Sequence, residues 1–189
     1  LNRLVQPKLI RCILDDYSSF GQALLEGFLL TGNSMYLERA HELAERIERV
    51  FPFEGDFRVY TPAVDAAWQK QLEIEDNVIP SANSMWAHFF QYLGVIADRN
   101  DWKEQAQLAL RAVHSKVFRY GPNFSNWLEL GLMRAYGAKE LVITGSRAKA
   151  AAEELQRAHY QPGTLVLFSE SASELAHFKG RVGHTLTYY

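Results

Sequence analysis

Residues 85–97 are apolar on nearly every side, interrupted by His88 and Gln91, and a helix without a polar face has to be enclosed by other helices. Residues 17–30 read the same way, with Ser18, Ser19, Gln22 and Glu26 as the main polar members. Each of these stretches is followed by a polar turn and then by a one-sided segment. Behind Thr31-Gly32-Asn33-Ser34, the residues Leu37, Ala40, Ala44, Ile47 and Phe51 recur at helical spacing, while Glu42, Glu45, Arg46 and Arg49 supply an exposed face. Behind Asp98-Arg99-Asn100-Asp101, the residues Trp102, Ala106, Ala109, Val113 and Val117 do the same, with Lys103, Glu104, Gln107 and Arg111 outside. The pattern predicts inner helices over 17–30 and 85–97 and outer helices over 36–51 and 102–118. A third inner helix is expected over 125–136, carried by Trp127, Leu130, Met133 and Ala135.

Buried helices alternating with amphipathic ones describe a mainly α fold, a partial α/α toroid built of helical hairpins with inner and outer helices. The repeat from Asp16 to Asp76 is about 60 residues. Between the pairs, the Gly- and aromatic-rich stretch from Phe53 to Tyr60 reads as a short hairpin or loop. After residue 137 the pattern changes. Glu140 to Thr144 and Thr164 to Phe168 have β-propensity, are flanked by Gly145 and by Pro162-Gly163, and enclose an Ala- and Glu-rich helix. This predicts a small C-terminal β-α-β appendage with parallel strands, since its helix makes the connection a crossover. The expected division is therefore 1–137 for the helical hairpins of an incomplete α/α toroid and 138–189 for the appendage.

Composition narrows the partners. With 189 residues, 48% hydrophobic and 22% charged, the chain has the balance of an ordinary folded domain. Its 20 basic and 22 acidic residues are intermixed, so there is no basic field for nucleic acid and no polybasic face for a membrane. No apolar run approaches the roughly 18 residues that span a bilayer, and no targeting pattern opens the chain. A single cysteine, Cys12, forms no internal disulfide, which fits a reducing, cytoplasmic setting. Leu1 reads as the start of a segment cut from a longer protein.

If the inner helices run parallel, their N-terminal ends face one rim, where unpaired N–H groups and the positive ends of the helix dipoles gather. By that logic Asp15, Asp16 and Tyr17, then Asp76, Asn77, Ser81, Asn83 and Ser84, then Asn123 and Asn126 converge. Two carboxylates there, Asp16 and Asp76, are the candidates for acid and base work on a sugar. The competing role is capping, because Asp, Ser and Asn are the residues that start helices. Pro80-Ser81-Ala82-Asn83-Ser84 combines a rigid entry, small side chains and capping groups, and His88 lies one turn further along the same helix. A histidine on an apolar face either lines a cleft or is a satisfied member of the core. Val142-Ile143-Thr144-Gly145-Ser146 has the outline of a phosphate-binding turn without the residues of a P-loop, and reads as an ordinary β-to-α turn. No spacing of Cys and His suits a metal ion, and no cofactor motif is present.

These residues resemble a family, the thioredoxin-fused proteins related to spermatogenesis-associated protein 20. Leu14-Asp15-Asp16-Tyr17 is similar to its Leu-Glu-Asp-Tyr, Asp76 through Ser84 to its Asp-x-x-x-Pro-Ser-Gly-Asn-Ser, and Gly180 to Tyr189 to its glycine-rich terminal segment. Asp15 stands where that pattern has Glu, Ala82 where it has Gly, and the chain stops at Tyr188-Tyr189 before the pattern's closing cysteine. The helical part of that family is similar to N-acylglucosamine 2-epimerases and other six-hairpin proteins. The resemblance implies an upstream thioredoxin-like domain as a partner within the full-length protein, and further hairpins. The epimerases' catalytic histidines do not transfer onto His41, His88, His114, His159, His177 or His184 one by one, so their chemistry does not transfer either.

Two functional expectations follow. In the first, the chain is a scaffold or ligand-binding segment without catalysis of its own. In the second, it is part of a carbohydrate-active enzyme of epimerase or glycosidase type, with rim carboxylates at work and Tyr17, Tyr60 or Trp86 stacking on a sugar. With about half of the expected hairpins absent, apolar surface and self-association are also expected.

Overall fold

The structure, a computed structural model, describes residues 13–61, 72–137, 139–158, 163–170, 175–181 and 186–188. Cys12, His159, Pro162 and His184, together with half of the Gly180 to Tyr189 segment, lie outside them. Among the described residues are six α-helices and two small sheets, so the chain is mainly helical. No described helix is long and apolar enough to cross a membrane.

The first hairpin is α1 (Leu14–Thr31) with α2 (Ser34–Val50). Gly32 ends α1 in the left-handed region at φ 67°, returning its N–H to Phe28 O at 2.7 Å. Asn33 then starts α2 by accepting from Met35 N at 3.0 Å. A two-stranded antiparallel hairpin, β1 (Phe53–Glu54) with β2 (Phe57–Arg58), follows. It carries Arg58 into the interior, where the guanidinium lies 4.2 Å from the centre of the Phe53 ring and close to Trp86 and Phe90. Arg58 donates to Phe51 O and to Gln105 Oε1, and Gln105 in turn donates to Glu48. Burial lowers its pKa to about 10, against the raising influence of Glu48.

The second hairpin is α3 (Ala82–Ile96) with α4 (Asn100–Arg119), and α3 is the centre of the fold. Trp86, Phe89, Phe90 and Leu93 on it are wholly buried. It packs on α1 at Gly21, where an added Cβ would lie 2.7 Å from the Phe89 ring, so only a residue without a side chain allows this approach. A 3-10 turn, Gly121–Phe124, leads into α5 (Ser125–Tyr136). The five helices occur where the apolar periodicity placed them, and Glu42 and Arg111 are exposed on α2 and α4.

One expectation is corrected. Neither α1 nor α5 is enclosed on all sides: Phe20 is 58% exposed and Leu30 55%, and on α5 Leu132 is 57% and Tyr136 80% exposed. The reason is their neighbours. α1 packs chiefly against α2, α3 and the C-terminal sheet, and α5 against α3 and α4, which leaves each with an uncovered face.

The C-terminal unit is the predicted β-α-β. Strands β3 (Lys139–Thr144) and β4 (Thr164–Ser169) pair in parallel, from Lys139 opposite Thr164 to Thr144 opposite Ser169, with α6 (Ala148–Ala158) between them. A short β5 (Thr187–Tyr188), which the periodicity did not signal, adds antiparallel to β3 and gives the order β4-β3-β5. Val142, Leu165 and Leu167 join the core of the helices, while Ile143, Ala148, Ala152 and Phe168 form a second small core under α6.

Candidate functional site

The starts of α3 and α5 are tied together by one carboxylate. Asp76 is 2% exposed, its Oδ1 accepts from Ser81 N (2.9 Å) and Ser84 Oγ (2.7 Å), and its Oδ2 accepts from Asn126 N (2.9 Å). Asn126 returns its side-chain N–H to Ser84 Oγ at 2.9 Å. Ser81 caps α3 by accepting from Ser84 N (3.2 Å) and anchors the preceding loop by donating to Ile74 O (2.9 Å). Asn83 is fully buried and works as a backbone clamp: it accepts from Arg58 N and donates to Arg58 O and Glu73 O. The motif from Asp76 to Ser84 is thus a hydrogen-bonded brace. Asn77 stands outside it, exposed, with its N–H on Ile79 O.

The start of α1 reaches the same end of the molecule. Leu14 N donates to Tyr60 O at 2.9 Å. The Tyr60 hydroxyl has its pKa raised by partial burial and by the charges of Glu73, Asp15 and Asp16, and Arg58, two residues before it, is the residue that Asn83 clamps. Asp15 is itself raised, first by burial and then by the neighbouring charge of Asp16. Asp16 is exposed and accepts from Ile13 N at 2.9 Å, which closes the first turn of α1. Tyr17 turns toward α2, accepting from Arg46 Nε at 2.9 Å and meeting Phe51 edge-on. Trp86 is wholly buried beneath Arg58.

The brace leads to a cavity. Between α1, α3, α5 and the β-α-β unit lies a space of about 790 Å³, walled by Ser19, Gln22 and Glu26 of α1, His88 and Tyr92 of α3, and Asn126 and Glu129 of α5. Leucines of α1 and residues of β3, α6 and β4 complete it. Of the residues chosen from sequence, His88 and Asn126 line this space, while Asp15, Asp16, Tyr17, Asp76, Asn77, Ser81, Asn83 and Ser84 do not. Asp76 acts on the cavity at one remove, by fixing Asn126.

His88 is 5% exposed, and its Nε2 lies 2.7 Å from Asn126 O. A carbonyl only accepts, so Nε2 carries the proton and the lone pair of a neutral ring sits on Nδ1. Burial lowers the pKa of His88 from its ordinary value, and the Asn126 carbonyl, Glu129 and Asp76 oppose that only in part. The ring stacks on Tyr92 at 6.2 Å.

Sequence reasoning did not assign Ser19, Gln22, Glu26, Glu129 or Gln156 to a site. A signal existed for the first three. They are among the few polar residues of the apolar stretch 17–30 and stand at i, i+3 and i+7, which is one face of a helix. Among the described residues no group of His, Cys, Asp and Glu is arranged to hold a metal ion. In comparisons with known proteins, no family model matches the chain and no curated protein matches it.

Proposed function

We propose that this chain is a ligand-binding helical segment of a six-hairpin, α/α-toroid protein, and that the cavity beside His88 holds a small hydroxyl-rich ligand of the carbohydrate class. The observation that carries this reading is the wall of the cavity. A space of about 790 Å³ is the size of a small-molecule site, and its polar groups are held in place from behind. His88 is oriented by Asn126, and Asn126 by Asp76 and Ser84. Binding is the role proposed and catalysis is not, because Asp76 has both oxygens engaged by three donors and Asp16 closes its own helix.

The motifs that build the brace are those in which the chain resembles the thioredoxin-fused family, and they support a place for it as the helical scaffold beside an upstream thioredoxin-like domain, in a cytoplasmic setting. A second reading, a carbohydrate-active enzyme segment using the rim carboxylates, draws on one observation: burial and the neighbouring Asp16 charge raise the pKa of Asp15, which favours a carboxyl that holds a proton.

Calorimetric titration with glucose, mannose and their 2-amino derivatives tests the proposal. Saturable binding that is lost when Leu29→Trp fills the cavity supports it. Binding that survives Leu29→Trp places the ligand elsewhere and overturns it. Turnover of a bound sugar that disappears in Asp16→Asn would favour the enzymatic reading.

A further inference from the structure

We infer that the cavity selects a ligand carrying a protonated amine. This deepens the ligand-binding reading and rests on it. The charged residues that line the space are Glu26 and Glu129, and no lysine or arginine stands among the lining residues. Glu26 and Glu129 are exposed, and neither takes part in an ion pair among the described residues.

The neutral polar groups point the same way. Each gives one hydrogen to the protein: Gln22 Nε2 donates to Met85 O (3.1 Å), Gln156 Nε2 to Leu29 O (3.2 Å), Asn126 Nδ2 to Ser84 Oγ (2.9 Å) and Ser19 Oγ to Asp15 O (2.7 Å). The side-chain carbonyl oxygens of Gln22, Gln156 and Asn126 accept no hydrogen bond from the described residues. His88 adds a buried acceptor. Its Nε2–H is held by Asn126 O, and its Nδ1 has no partner among the described residues.

Two carboxylates with no cation among the lining residues are answered by positive charge, and the free side-chain carbonyls and His88 Nδ1 by donors. An ammonium group offers three donors and one charge. An anion would meet two carboxylates with no cation to offset them, and a neutral ligand would leave the charge of the site unused. The apolar part of the wall, Leu25, Leu29, Leu155 and Leu165, takes the body of such a ligand.

The test uses matched probes below the pKa of their amines: glucosamine against glucose and glucuronate, and 2-phenylethylamine against 2-phenylethanol. The amine of each pair is expected to bind about tenfold tighter than its neutral partner, two nearby carboxylates being worth roughly that at the screening of an exposed site. The preference should shrink in high salt and in the Glu26→Gln, Glu129→Gln double variant. Because both glutamates are exposed, the variants keep the fold, and circular dichroism confirms it. Equal binding of glucosamine and glucose would overturn the amine inference and leave the carbohydrate reading standing. Selection of 2-phenylethylamine with no sugar bound would do the reverse. Tighter binding of glucuronate would overturn the electrostatic argument itself.

Discussion

Asp76 and Asp16 look equivalent in the sequence, as carboxylates ahead of apolar helices, and the structure separates them. Asp76 is buried with three donors on two oxygens. Replacing it by Asn puts an NH2 group against one of those donors, which leaves a buried N–H or hydroxyl unsatisfied, and the expected loss is about 2–3 kcal/mol. The same change at exposed Asp16 costs at most about 1 kcal/mol, because Asn serves nearly as well at the start of a helix. Urea unfolding of the two variants measures the difference, and equal losses would mean that the brace is unimportant. His88 supplies the pH dependence. Its folded pKa is depressed by burial, so the unfolded chain binds more protons as the pH falls below the ordinary value of 6.5. Stability should therefore be full above that pH and fall below it, and His88→Gln should show a smaller fall in unfolding midpoints over the same range.

At the scale of elements, the contact of α1 with α3 depends on Gly21. A methyl group there would sit 2.7–2.8 Å from three atoms of the Phe89 ring, and Phe89 is wholly buried. Gly21→Ala is expected to destabilise by about 1–3 kcal/mol through overpacking, despite the better helix propensity of alanine. Gly27, on the same helix, makes the control. Its added methyl meets half-buried Tyr36 at 3.0 Å, a ring that can shift, so Gly27→Ala should be close to neutral or stabilising. Thermal unfolding of the pair decides it, and a loss at Gly27 as large as at Gly21 would refute the packing argument. The parallel pairing of β3 with β4 was legible because Gly and Pro bracket two β-branched runs around a helix. β5 was not, since two residues at the end of the chain carry no periodicity.

The whole molecule exposes a stripe of apolar residues on α5, where Leu128, Leu132 and Tyr136 follow one another at i, i+4 and i+8 with Phe118 at the end of α4 also exposed. Such a stripe invites a second copy, since two α5 faces would cover each other. Light scattering is expected to show a mass that rises with concentration, and Leu132→Glu should suppress the rise. A strictly monomeric chain at every concentration would count against the self-association.

The sequence by itself determined the helices, their order and the β-α-β close, because these follow from local periodicity and from the turn chemistry of Gly, Pro and Asn, which act within a few residues. It also marked the brace: Asp76, Ser81, Asn83 and Ser84 announced themselves as groups that start a helix, although their true partners, Arg58, Glu73 and Asn126, are 10 to 50 residues away. What only the tertiary structure decided was which polar residues share a cavity. Gln22 and Glu26 on α1, His88 on α3, Glu129 on α5 and Gln156 on α6 meet because packing at Gly21 and Asp76 sets the helices side by side. The exposure of Phe20 and Leu132 was likewise decided there. A segment's hydrophobicity records that it favours burial, and whether a neighbour arrives to bury it depends on the rest of the fold.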